Sequence, residues 1–169
     1  MKNILFLLVV FLMMSCAPIK VNYDYDSATN FEKYKTYNYY PNMNTGLSDL
    51  DTKRLLDVLD NNLKVRGFEL SENPDFLINI QSSEYREAQN NNVGVGLGGG
   101  GGNVGGGVSI GIPMGQSNLS RQIIFDFIDE SQSGLFWQAV SESSYNPKGT
   151  PDKREALLQA IVEKVLSKY

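Results

Sequence analysis

The stretch IIFDFIDESQSGLFWQA, residues 123–139, decides the fold that the sequence predicts. Its first half alternates with the period of two that is typical of a β-strand. This period puts Ile123, Phe125 and Phe127 on one face and Ile124 and Ile128 on the other. After the Ser133–Gly134 turn a second strand is predicted, led by Leu135, Trp137 and Ala139. The short connection favours an antiparallel pair of strands. Trp137 is interpreted as a core residue of this pair rather than as a platform for a ligand.

Three earlier stretches also have the pattern of strands, and two others have the spacing of amphipathic helices. The strands are predicted over 21–26, over 34–39 and around Phe76, Ile78 and Ile80. The first helix is predicted to begin at Ser48 and to end at Gly67, with an apolar face of Leu55, Leu56, Leu59 and Leu63. The second is predicted to begin at Thr150–Pro151 and carries Leu157, Leu158, Ile161, Val162, Val165 and Leu166.

Because hairpin-length connections dominate, most strand pairs are expected to be antiparallel. The sequence therefore predicts an α+β fold, a two-layer sandwich in which two amphipathic helices cover one face of a single mostly antiparallel sheet. Residues 16–169 are expected to form one domain with its core over 21–168, and residues 1–15 a removable leader.

Residues 88–120 carry no charge and contain 12 of the 16 glycines. Two strand arms joined by 98–107 are predicted, which would form a glycine-rich hairpin extension. The apolar positions of these arms are candidate partner-binding residues: Val93, Val95, Leu97, Val108, Ile110 and Ile112.

Three interpretations of this segment remain open. It is a hairpin extension without a binding role, an arm that contacts a membrane or a partner, or a phosphate-binding loop. The last rests on Gly94-x-Gly96-x-x-Gly99, but that motif requires a helix directly after it, and no helical pattern follows here. A face made of glycine permits close approach of another strand, which is the physical basis of the second interpretation.

The first sixteen residues have the pattern of a secretory leader. Lys2 is followed by eleven apolar residues over 4–14, which are too few to span a bilayer. Small Ser15 directly precedes Cys16, the only cysteine, and this arrangement resembles the bacterial lipobox. The resemblance implies cleavage before Cys16, a diacylglycerol on its thiol and acylation, as by palmitate, of the new amine. The expected location is the outer membrane, lipid-anchored on its periplasmic face.

Composition excludes several classes of chemistry. With no histidine there is no Ser-His-Asp triad and no His-ligated zinc, and one cysteine cannot form an intrachain disulfide or a Cys cluster. The net charge of −4 and the lack of a basic run argue against a nucleic-acid partner. No cofactor or metal is expected.

Carboxylates and tyrosines are the remaining groups that could act at a site. The closest acidic groups are Asp24 with Asp26, and Asp126 with Asp129 and Glu130, which are more simply solvated strand faces and turns than catalytic pairs. Six of the nine tyrosines lie within 23–40, where they are either sheet core or a stacking surface for sugars or peptides.

A set of landmarks in a fixed order resembles a known family. After the lipobox come Tyr23-Asp-Tyr-Asp, Phe31-Glu-Lys-Tyr-Lys-Thr-Tyr, Arg66-Gly-Phe, Pro74-Asp-Phe-Leu-Ile, the glycines, and Leu135-Phe-Trp-Gln-Ala. Over about 21–168 the chain resembles the bacterial envelope lipoproteins that carry domain of unknown function 4136. The resemblance implies a lipid-anchored α+β domain in the cell envelope, and it supplies no catalytic residues.

The sequence thus favours a non-enzymatic binding or structural module that meets the membrane through its anchor and an envelope protein or glycan through its domain. The alternatives are a membrane-active or self-associating protein that acts through the glycine-rich segment, and a carboxylate-dependent hydrolase.

Overall fold

A computed structural model describes residues 19–86, 119–131 and 134–169. The elements are β1 (Lys20–Tyr25), β2 (Thr36–Tyr39), α1 (Asp49–Val65), β3 (Glu69–Leu70), β4 (Phe76–Arg86), β5 (Leu119–Asp129), β6 (Gly134–Ser144) and α2 (Pro151–Val165). Short 3-10 turns lie at Phe31–Lys33 and Leu166–Lys168. The predicted glycine-rich hairpin lies outside the described residues.

The six strands form one sheet in the order β1-β6-β5-β4-β2-β3. The pairs β1–β6, β6–β5 and β5–β4 are antiparallel, and β4–β2 and β2–β3 are parallel. The α+β class and the mostly antiparallel sheet are therefore confirmed. The parallel pairs arise because α1 is a crossover between β2 and β3, and a crossover returns the chain in the same direction.

Both helices begin and end close to the predicted residues. The Ser48 Oγ accepts a hydrogen bond from the Asp51 N–H at the start of α1, and Gly67 takes the left-handed conformation (φ 88°) after its end. Pro151 is the first residue of α2, but the Thr150 side chain makes no capping hydrogen bond. Proline has no backbone N–H that needs an acceptor, and its φ angle is already that of a helix. The start of α2 is therefore fixed mainly by the backbone geometry of Pro151.

The core lies between the helices and one face of the sheet. Ile123, Phe125 and Phe127 are fully buried there, as the alternation predicts. Helix residues that pack on the sheet are Leu55, Val58, Leu59, Leu63, Leu158, Ile161, Val162 and Val165. Burial of these side chains, worth roughly 1.5–3 kcal/mol each, is the main stabilising contribution of the two-layer arrangement.

The predicted alternation in β6 is wrong at Leu135. A β-bulge shifts the register, so that Ile128 pairs with Leu135 and Phe127 pairs with Trp137. Phe136 takes the inner position and is 1% exposed, whereas Leu135 is 49% exposed. The extra residue in the bulge reverses the alternation at that point. Trp137 is confirmed as a core residue, since only 2% of its surface is exposed.

Candidate functional site

One end of the sheet carries a buried ionic cluster. We call it the Lys20 end: it comprises the beginning of β1, the end of β4, the beginning of β5 and the end of β6, which the strand register brings together. Both helices also begin at this end. The first turns of α1 and α2 are joined there by an ion pair between Asp51 and Arg154. The opposite end, where β5 finishes, is called the Asp129 end.

Asp51 is the centre of the cluster and is 1% exposed. Its Oδ1 accepts a hydrogen bond from Arg54 Nη1 at 2.7 Å, and its Oδ2 accepts one from Arg154 Nη1 at 2.9 Å. Nη1 of Arg121 lies 4.0 Å from the same Oδ2. Three guanidinium groups therefore compensate the buried carboxylate, which would otherwise be costly to remove from water.

Arg121 links the cluster to the sheet. Its Nη2 donates to Glu84 Oε1 at 2.6 Å, and its guanidinium carbon lies 3.4 Å from the centre of the Tyr145 ring. Its Nε is buried without a hydrogen-bond partner within the described part of the chain. A small pocket of about 130 Å³ lies beside it, with an apolar side formed by Ile123, Leu157, Leu158 and Ile161.

Sequence reasoning missed this cluster, although the sequence holds a signal for it. Arg121 is in phase with Ile123 on the buried face of β5, and Asp51 lies one helical turn before Leu55. Opposite charges at two core-facing positions indicate an ion pair across the core, because an unpaired charge there is very costly.

The Asp129 end carries an open acidic cleft of about 640 Å³. Its charged lining residues are Lys33, Glu72, Asp75, Asp129 and Glu130. The Asp129 carboxylate accepts hydrogen bonds from Lys33 Nζ, Tyr34 Oη and Ser131 Oγ, at 2.9, 2.9 and 2.6 Å. Burial alone raises the pKa of this carboxyl, but the hydrogen bonds from Ser131, Lys33 and Tyr34 outweigh it and lower the pKa to about 2.

Asp75 also has a structural role in this cleft. Its Oδ2 accepts hydrogen bonds from the backbone N–H groups of Lys35 and Thr36, both at 2.8 Å, at the start of β2. These bonds, above all the one from Lys35, lower the pKa of the Asp75 carboxyl. Asp75 and Asp129 therefore hold backbone and side chains in place as anions. Because the pKa of each carboxyl is lowered, neither is suited to exchange a proton near neutral pH.

The other acidic residues named from the sequence do not converge. β1 ends at Tyr25, so Asp26 lies in the following turn, where its Oδ1 accepts from the Ala28 N–H at 2.9 Å. Asp126 faces away from the helices and accepts from Gln138 Nε2 at 2.6 Å. Asp129, three residues on, faces the helix side, so Asp126 and Asp129 do not form a pair.

The tyrosine-rich stretch divides between core and surface. Tyr34 and Tyr37 are buried, and Tyr25 is 59% exposed. The hydroxyls of Tyr37 and Tyr39 both donate to Asp60 Oδ1 on α1, at 2.8 and 2.5 Å. Burial first, and then the Asp60 carboxylate, raise the pKa of both phenols well above the ordinary value. Most of these rings are part of the sheet–helix interface rather than an exposed stacking surface.

The remaining predicted site residues lie outside the described residues. These are Cys16 and the apolar positions Val93, Val95, Leu97, Val108, Ile110 and Ile112. In the described ranges, no group of three or more acidic, cysteine or histidine side chains is arranged to hold a metal ion. No helix in this part of the chain is both long and apolar enough to cross a membrane.

An open six-stranded sheet with two helices on one face defines the class of protein, a two-layer α+β domain. The chain belongs to the family described as domain of unknown function DUF4136, whose model matches residues 21–169. This match confirms the domain that the sequence landmarks resemble. No curated protein is a significant match to the chain.

Solved structures share the fold at low sequence identity. The PelC dodecamer from Paraburkholderia phytofirmans is similar with a TM-score of 0.52 and 12% identity, over 89% of this chain and 96% of that one. A PDZ domain protein from Parabacteroides distasonis is similar with a TM-score of 0.54 and 15% identity, over 96% of this chain and 40% of that one. At such identities the likeness shows the fold alone.

Proposed function

We propose that this protein is a lipid-anchored module of the bacterial cell envelope that is tethered through Cys16 and binds a partner rather than catalysing a reaction. The lipobox-like leader and the family of envelope lipoproteins that the chain resembles support the anchor. In this proposal the protein lies on the periplasmic face of the outer membrane. Two or three acyl chains hold a protein on a bilayer without a spanning helix, at about 0.8 kcal/mol per buried CH₂.

The position of β1 is the observation that carries the proposal. β1 begins at Lys20, four positions after Cys16. Four extended residues reach at most roughly 14 Å, so an acylated Cys16 would hold the Lys20 end of the sheet close to the headgroups. Arg86 and Leu119, which lie on either side of residues 87–118, pair with each other at this same end. The proposed anchor and the ends of β4 and β5 that lead into residues 87–118 would then lie on the same side of the domain.

The contacts of the acidic side chains favour binding over catalysis. Asp75 and Asp129 are held as anions by structural hydrogen bonds, and Asp126 bonds to the neighbouring strand through Gln138. A carboxylate-dependent hydrolase needs two carboxyl groups across a cleft, one of them with a raised pKa. The carboxyl groups of Asp75 and Asp129 instead have lowered pKa values, which supports a structural role for both.

Metabolic labelling with an alkyne analogue of palmitate tests the anchor. The full chain, expressed in a bacterium with its leader, is expected to incorporate the label and to fractionate with the outer membrane. Cys16→Ser is the matched control and should remain unlabelled with an uncut leader. A wild-type protein that stays unlabelled, or that is recovered with a free thiol at Cys16, would refute the proposal.

Self-association is a second candidate. It is favoured by β1, which is an edge strand in the sheet of the described residues and can accept another strand along its outer side. The fold is shared with PelC, which forms a dodecamer. Sedimentation velocity of the full chain should then show an oligomer, and deletion of residues 98–107 tests whether the glycine-rich segment mediates it. A monomer at all concentrations would exclude self-association.

A further inference from the structure

We propose that the Lys20 end of the sheet is a docking surface for an anionic phospholipid bilayer. This inference rests on the proposed lipid anchor and adds to it an orientation and a lipid preference. It is carried by the exposed charges of this end, by the rigidity of the loop that presents one of them, and by the opposite charge of the cleft at the far end.

Exposed basic residues surround this end of the domain. They are Lys20 on β1, Arg86 at the end of β4, Lys148 in the loop after β6, and Lys153 in the first turn of α2. None of the four forms an ion pair with a described residue. Each such residue that lies near an anionic membrane surface strengthens binding to that surface about fivefold.

Two acidic residues of the same end, Asp51 and Glu84, are compensated within the protein. Asp51 is paired with Arg54 and Arg154, and Glu84 is paired with Arg121. Glu142 lies opposite Lys20 in the strand register, and Asp49 and Asp152 lie in the first turns of the helices. Both helices begin at this end, so the positive ends of two macrodipoles add to the field of the exposed lysines.

The loop that carries Lys148 is fixed before it meets any partner. Arg154 donates from Nε to the Gly149 carbonyl at 3.1 Å and from Nη2 to the Pro147 carbonyl at 2.5 Å. The same guanidinium is held by Asp51, and the Asn146 Oδ1 accepts from the Lys148 N–H at 2.9 Å. Because the loop is already ordered, docking costs little further conformational entropy.

The cleft at the opposite end has the reverse charge. The cleft there is lined by four carboxylates and one lysine: Glu72, Asp75, Asp129, Glu130 and Lys33. An anionic surface repels this end and attracts the Lys20 end. The charge difference between the cleft and the Lys20 end therefore orients the domain in the same way as the short tether does. In this orientation the acidic cleft faces away from the membrane.

Fluorescence quenching in vesicles tests the docking surface. The full acylated protein is reconstituted in vesicles of phosphatidylglycerol and phosphatidylcholine (3:7) or of phosphatidylcholine alone. A dye is attached at Ser144→Cys or, at the far end, at Asn73→Cys, since acylated Cys16 offers no thiol. With a headgroup-level quencher lipid, we expect the Ser144 dye to be quenched severalfold more than the Asn73 dye in anionic vesicles, and this difference to shrink without anionic lipid.

Charge reversal provides the matched comparison. Lys148→Glu/Lys153→Glu should abolish the effect of anionic lipid, whereas Lys35→Glu/Lys64→Glu, which changes the charge equally at the far end, should retain it. Equal quenching of the two dyes, no dependence on anionic lipid, or no response to Lys148→Glu/Lys153→Glu would overturn the docking surface. An intact mass without acyl chains on Cys16 would instead overturn the anchor, so the two failures are distinguishable.

Discussion

Asp51 shows how one buried side chain can join two helices and the sheet. Its two oxygens are bonded to Arg54 on α1 and Arg154 on α2, and Arg121 on β5 lies close by. A network of this kind contributes little net energy compared with apolar residues of the same volume, but removing one partner leaves charges buried without compensation. Its importance at the Lys20 end is therefore that it fixes the relative positions of three elements.

We predict that Asp51→Asn lowers the free energy of unfolding by about 3–5 kcal/mol, because the arginines lose their shared anion. Asp49→Asn is the control, since Asp49 is an exposed acid in the same helical turn and its loss should cost about 0.5 kcal/mol. Urea unfolding followed by circular dichroism measures both variants. Similar midpoints for the two would contradict a structural role for the cluster.

At the scale of elements, the sequence predicts what local periodicity encodes. The alternation predicts β5 correctly, and the capping residues Ser48 and Gly67 predict the bounds of α1 correctly. Both signals depend only on neighbours along the chain. The two-residue β3 is too short to have a period, and the bulge at Phe136 depends on pairing with β5. The parallel pairing of β2 likewise requires knowledge of where α1 packs.

Two glycines with positive φ provide a prediction about connections. Gly67 has open space where a Cβ would lie, whereas a Cβ on Gly46 would lie 2.7 Å from the Ser82 carbonyl oxygen. Gly67→Ala should therefore cost only the strain of the left-handed conformation, about 1–2 kcal/mol. Gly46→Ala should cost at least about 1 kcal/mol more, because the loop before α1 must move away from β4. Equal losses in thermal or urea unfolding would contradict this reading of the loop.

At the scale of the whole molecule, an aromatic cluster unites distant parts of the chain. The ring of Tyr169 lies 4.9 Å from Phe127, 5.1 Å from Trp137, 5.7 Å from Phe31 and 5.7 Å from Phe68, measured between ring centres. These rings come from the region before β2, the connection between α1 and β3, and strands β5 and β6. Such long-range packing leaves no local trace in the sequence, which is why the tyrosine-rich stretch alone could not assign the core.

The Tyr169 hydroxyl is buried without a hydrogen-bond partner among the described residues. We predict that Tyr169→Phe is neutral or stabilising by up to about 1 kcal/mol, because it removes a polar group that is buried at a cost. Tyr169→Ala should lose about 3 kcal/mol through the cavity it leaves. Calorimetry of both variants measures the difference, and a destabilised Tyr169→Phe would indicate that the hydroxyl has a partner.

The pairing of Arg86 with Leu119 has a practical consequence. Because β4 and β5 are already joined in register at that point, the length of chain between them can change without altering the sheet. Each doubling of such a connection costs only about 0.6 kcal/mol in closure entropy. An epitope tag or a fused reporter could therefore be inserted between these two strands, and the sheet should still assemble.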